Sequence, residues 1–210
     1  MLDVALLVVH IACGSVALLA AAVALATAKG RTNHVRSGRV YAIAMTGVFV
    51  TAVPLALLGA DIFLLFIALF SFYMVFAGWR FARNRRGTAH AVDWMAAGIM
   101  GLTGLGMWVY GAVLGRYGDS QWVTLLLFGF IALGLAGADA LFYRRSAPVA
   151  YFRRISRHLT NMLAGTIATV TAVLVVNVDT NPVWLAWILP TLVITPLIVW
   201  WNVRVARGHR

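Results

Sequence analysis

The chain has 210 residues, of which 62% are hydrophobic and only 11% charged, and its mean hydropathy is +0.90. So few charges cannot cover a water-soluble fold of this size, which excludes an ordinary soluble domain and points to a protein whose outside is covered by lipid. The net charge of +11 comes from 17 Lys and Arg against six Asp; no hydrophilic stretch is large enough to display a basic surface, so nucleic acid is excluded as a partner.

Seven apolar runs follow one another, each near the ~20 residues that a helix needs to cross the hydrocarbon core. The first, Val4–Ala28, has no basic residue before it and is too long for a cleaved leader, so it is read as a span. It carries His10, a stripe of Gly14, Ala17, Ala21, Ala24 and Ala28, and Cys13, the only cysteine, which excludes an intrachain disulfide. The second, Arg39–Ala60, follows His34 and holds Thr51 and Pro54. The third, Ile62–Ala82, has Phe63, Phe66, Phe70, Phe72, Phe76 and Phe81 scattered around it, a pattern that predicts a lipid-exposed helix.

The fourth run, Val92–Leu114, follows His90 and contains Asp93, Met107 and the glycines 98, 101, 104, 106 and 111. The fifth, Trp122–Phe142, contains Gly129, Gly134, Gly137 and, near its end, Asp139. Small residues let helix backbones approach closely where lipid supplies no hydrophobic drive, so both runs predict tight packing. A basic linker, about Tyr143–His158, interleaves Tyr151, Phe152 and Ile155 with arginines and is predicted to lie along the headgroups. The sixth run is Leu159–Val178 and the seventh, Val183–Val205, holds Pro190, Thr191 and Pro196. Ala, Leu, Val and Gly dominate throughout, and barrel strands would be shorter and polar at alternate positions. The expected fold is all-α: one polytopic membrane bundle of seven transmembrane helices over residues 1–210.

Basic residues are segregated between these runs. Sixteen of the 17 fall in the connections after runs one, three and five and at the C-terminus; Arg116 alone lies opposite. The rule that Lys and Arg stay inside places the N-terminus outside, the C-terminus in the cytoplasm, and anionic headgroups against the arginine-rich side. An outside start and an inside end require an odd number of spans, as counted.

Five local patterns resemble a widespread bacterial family of multi-pass membrane proteins of unknown function. They are His10-Ile11-x-x-Gly14-x-x-Ala17-Leu18, Lys29-Gly30 with His34 and Gly38-Arg39-x-Tyr41, Ser71-Phe72-Tyr73 with Gly78-Trp79-Arg80, Asp93-Trp94, and Trp187-x-x-Pro190-Thr191 with Pro196. The resemblance implies a similar multi-span architecture in a bacterial cytoplasmic membrane, and no catalytic role for any residue.

Two groups of residues bear chemistry. His10 lies within the hydrocarbon, where an imidazole needs a partner or a ligand. At the same depth stand Pro54, Met107 and Pro190, with Thr51 and Thr191 beside the prolines; each proline deprives the carbonyl four residues earlier, Val50 or Ala186, of its helical donor. These residues can form an intramembrane site for a small solute or a proton, the histidine can simply fix helix contacts, and His10 with Met107 can ligate a haem. The second group comprises His34, His90 and His158 at the starts of the inward-starting helices, with Asp93 and Asp139. These donors are zinc-like in kind though not in spacing, and they equally suit an anion or lipid phosphate, or ordinary interfacial roles. Asp139 calls for a cationic partner, Arg157 or His158. No nucleotide, metalloprotease or nucleophile-elbow motif occurs, and no cofactor follows from the residues. A small-solute or proton carrier is the reading preferred. A membrane enzyme or redox protein holding a metal or haem, and a structural or signalling subunit, stand as alternatives.

Overall fold

A computed structural model describes residues 2–85, 88–144 and 151–207 of the chain. Among them are seven helices: α1 (Leu2–Ala26), α2 (Thr32–Leu58), α3 (Ile62–Arg83), α4 (Ala91–Arg116), α5 (Trp122–Tyr143), α6 (Tyr151–Asn177) and α7 (Trp184–Arg207). Each is long and apolar enough to cross a membrane, and together they form an all-helical, multi-pass membrane bundle. Its outward surface is apolar: Leu19, Ile43, Leu102, Val109 and Phe130 are all more than 60% exposed within the chain, as lipid-facing side chains should be.

Two helices begin earlier than the hydropathy pattern predicts. α2 starts at Thr32, not Arg39, so His34 lies in its first turn. α6 starts at Tyr151, so Tyr151, Phe152 and Ile155 belong to helical turns that continue into the span. The rest of the predicted linker, residues 145–150, lies outside the described residues, as do Arg86, Arg145 and Arg210 of the basic set. The prolines do not break their helices: α2 runs on through Pro54, and α7 through Pro190 and Pro196.

The ends are closed by local polar chemistry. Asp61 accepts a bond from the Leu64 amide at the start of α3, and Thr180 accepts one from Ala186 at the start of α7. Lys29 donates to the Leu25 carbonyl at 2.6 Å and the Ala24 carbonyl at 3.1 Å, so a cation sits on the free carbonyls of α1. Partial burial pulls its pKa below that of an ordinary lysine.

α3 is the hub. It packs on α2, α4 and α6, and Phe63, Phe70, Tyr73, Met74, Val75, Ala77 and Phe81 are all buried. The expectation that its phenylalanines face lipid is therefore corrected. Phe63 meets Trp187 of α7 edge-on, Phe70 stacks on Phe128 of α5, and Phe81 meets Phe142 of α5. Aromatic residues spread around a helix suit one with protein on several sides as well as one in lipid, and periodicity alone cannot separate the two.

Glycines admit close approach at two crossings, α3 with α6 and α4 with α5. Gly78 of α3 lies against Asn161 and Met162 of α6, and Gly165 of α6 lies against Val75 of α3, each too near for an added methyl group. Between α4 and α5, a Cβ on Gly104 would stand 3.1 Å from the Gly129 carbonyl, and one on Gly129 would stand 3.0 Å from the Gly104 carbonyl and 2.4 Å from Trp108. Gly98, Gly101, Gly134 and Gly137 face open space and take no part in this contact. α1 packs chiefly on α2, where Ala17, Ala20 and Ala21 meet Tyr41, Ala42, Ala44 and Met45.

Gly129→Ala should therefore lower stability by about 1–3 kcal/mol through overpacking, while Gly134→Ala, with nothing within 4 Å, should be near neutral. Unfolding of both variants in detergent, measured side by side, checks this.

Candidate functional site

Asp139, Asp93, Arg154 and His158, from three other helices, each bond to a residue of α3. Asp139, near the end of α5, has no exposed surface. Its Oδ2 accepts a 2.7 Å hydrogen bond from the Tyr73 hydroxyl, and its Oδ1 stands 3.3 Å from Nη1 of Arg157 on α6. That guanidinium also donates to the Ala138 carbonyl at 2.9 Å. No hydrogen bond among the described residues reaches Oδ1, so the carboxylate is charge-balanced but incompletely bonded. In a native interior such an oxygen is uncommon, and it is where an arriving proton or donor group would bind. Asn161, one turn after Arg157, is also fully buried with its Oδ1 unbonded among the described residues, while its amide donates to the Arg157 carbonyl.

A second ion pair lies nearer the rim. Arg80 of α3 grips Asp93 of α4 with two bonds, Nε to Oδ1 at 2.6 Å and Nη2 to Oδ2 at 2.8 Å. Asp93 also accepts from the backbone amide of His90, so it caps α4 while holding α3. The Tyr143 ring packs on Phe81 and Trp94, close enough to both ion pairs to feel their charges.

α6 supplies the remaining ties. Arg154, buried, donates to the Phe81 and Ala82 carbonyls at 3.0 and 2.7 Å, closing the C-terminal end of α3. His158 Nδ1 donates to the Gly78 carbonyl at 2.9 Å, since a carbonyl can only accept. Asn202 of α7 receives a bond from Ser156 and donates to Thr160 at 2.9 Å, which joins α7 to α6.

The first predicted group is only partly assembled. His10 Nδ1 and Thr51 Oγ1 are 3.0 Å apart. Thr51 spends its own proton on the Gly47 or Val48 carbonyl, which makes the imidazole the donor. Met107 lies elsewhere, with no exposed surface in the core that also holds Phe63, Phe70, Leu125, Phe128 and Trp187. Pro190 is buried on α7, which packs on α6 and lightly on α5, whereas α1 packs on α2 and the edge of α6. Pro54 and Thr191 are half-buried on their own helices, and no hydrogen bond among the described residues joins either to His10.

The second group is likewise divided. His34 donates to the Ala24 carbonyl at 3.0 Å, His158 to Gly78, and His90 starts α4, while Asp93 and Asp139 hold different arginines. His34 and His158 are close enough to feel each other's charge. Among the described residues no three His, Cys, Asp or Glu side chains gather as metal ligands. The shared zinc-like set is corrected to a series of separate capping and ion-pair contacts. Tyr73, Arg80, Arg154 and Asn161 were missing from the sequence-predicted site. The polar face His158–Asn161–Gly165 was the signal available for Asn161; Tyr73 and Arg80 stood only in family-like motifs.

No family model matches the chain, and neither a curated protein nor a solved structure shows significant similarity to it.

Proposed function

We propose that this chain is a carrier for a proton or a small proton-coupled solute, working as one transmembrane unit in a bacterial cytoplasmic membrane with the N-terminus outside. The observation that carries the reading is Asp139, a carboxylate with no exposed surface and an oxygen left without a hydrogen bond among the described residues. Charges within a span are costly and mark ion or proton pathways by default. Tyr73 and Arg157 make the carboxylate tolerable.

The packing supplies a moving part. α4 and α5 are closely packed on each other, whereas α5 is joined to α3 and α6 through side chains: the Phe70–Phe128 and Phe81–Phe142 ring pairs and the Asp139 contacts. Protonating Asp139 would remove its attraction for Arg157 and let α5 move away from α6, while Arg80 keeps α4 on α3 as the pivot. Such a motion turns an enclosed group into one open to a face, as alternating access requires. His10 with Thr51, near the opposite end of the bundle, is a second polar station on the same path. The arginine-rich side, in the cytoplasm by the positive-inside rule, meets anionic headgroups.

In liposomes loaded with a pH-sensitive dye, the purified protein should speed proton entry down an imposed gradient above empty liposomes. Asp139→Asn should return the rate to that of empty liposomes, and His10→Leu should slow it without abolishing it. A wild-type rate no greater than that of empty liposomes contradicts proton movement, and an unimpaired Asp139→Asn variant contradicts this site. Tags at the two ends, tested for access in intact cells, should be on opposite faces; both on one face would rule out the orientation.

A further inference from the structure

At the rim, where α3 ends and α4 begins, an open cleft of about 340 Å³ is lined by Arg80, Arg83, Asn84, Arg85 and His90. That volume is within the range of small-molecule clefts. Its lining holds three guanidinium groups and no acid. The nearest acid, Asp93, is committed to Arg80 and to the His90 amide. Arg83 and Arg85 are exposed, and neither has a carboxylate partner among the described residues. Arg83 stacks on the Trp79 ring at 5.1 Å, which positions its plane without using its N–H donors. Asn84, also in the lining, donates to the Thr88 carbonyl at 2.6 Å.

We propose that this cleft is a phosphate-binding site, filled in the membrane by the headgroup phosphate of an anionic phospholipid. Planar guanidinium forks match phosphate oxygens in geometry and charge, and uncompensated arginines at a helix end stand where lipid phosphates are most concentrated. Free inorganic phosphate presents the same chemistry, and the two sources are distinguishable by experiment. The site does not depend on the carrier reading, since it uses neither Asp139 nor any transport step.

The test is native mass spectrometry of delipidated protein in detergent, titrated with phosphatidylglycerol, phosphatidylcholine or inorganic phosphate. Phosphatidylglycerol should bind in preference to phosphatidylcholine, and millimolar phosphate should compete with it. The Arg83→Ala/Arg85→Ala variant should bind phosphatidylglycerol about 30-fold more weakly, from the loss of two arginines near the surface. An Arg204→Ala/Arg207→Ala control, at the end of α7, should bind as the wild type does. Phosphate binding that the Arg83/Arg85 variant loses, without a preference between the lipids, assigns the cleft to the soluble anion and keeps the phosphate chemistry. The proposal is overturned if neither probe binds selectively, if the Arg83/Arg85 variant binds like the wild type, or if the control loses binding equally.

Discussion

A single carboxylate sets the terms for the arginine-rich half of this bundle. Asp139 has no exposed surface, so its charge must be met by protein. α5 delivers the acid, α6 the guanidinium of Arg157 and α3 the hydroxyl of Tyr73. α3 is thereby tied to the consecutive helices α5 and α6. Most of the stabilisation of the surrounding core comes from packing of the aromatic and methionine side chains of α3, α4 and α5.

α3 can act as the hub because two kinds of residue alternate along it. Its large rings fill the gap to α5 and α7, while Gly78 lets α6 approach nearly to backbone contact. The closeness of α6 has a chemical consequence. It brings His158 and Arg154 within reach of the Gly78, Phe81 and Ala82 carbonyls, so the end of α3 is capped by another helix instead of by water. Arg80 then extends from the same segment to Asp93 and fixes α4. Removing the glycine contact would therefore weaken polar bonds more than a turn away.

Much of the fold was legible in the sequence, because span length and composition are dictated by the bilayer and each of the seven apolar runs overlaps a helix. The starts of α2 and α6 were not, since their first turns are rich in arginine and polar residues and hydropathy registers only the buried part. The need of Asp139 for a cation was legible, and Arg157 was one of two partners named. Tyr73 was not, as a tyrosine in an apolar run carries no mark of the acid 66 positions away that it will serve. Matching residues by depth named Thr51, which His10 meets at 3.0 Å, together with Met107 and Pro190, which stand on helices that pack chiefly against others than α1. Depth fixes a height in the membrane, whereas the order of helices around the bundle decides which residues at that height can meet. The same limit read α3 as a lipid-exposed helix, whereas Phe63, Phe70 and Phe81 are buried and Phe66, Phe72 and Phe76 half-buried.

The claim that Asp139 and Arg157 hold the bundle together as a pair is tested most directly by a double-mutant cycle on unfolding. Asp139→Asn, Arg157→Gln and the double variant would be compared with the wild type in the same detergent. Arg157→Gln alone should cost about 3–5 kcal/mol, because it leaves a buried charge uncompensated. The double variant should be less destabilised than the sum of the two single changes, with a coupling of about 1–3 kcal/mol. Single costs that add to within about 0.5 kcal/mol would contradict the account, since the two groups would then be contributing to stability independently.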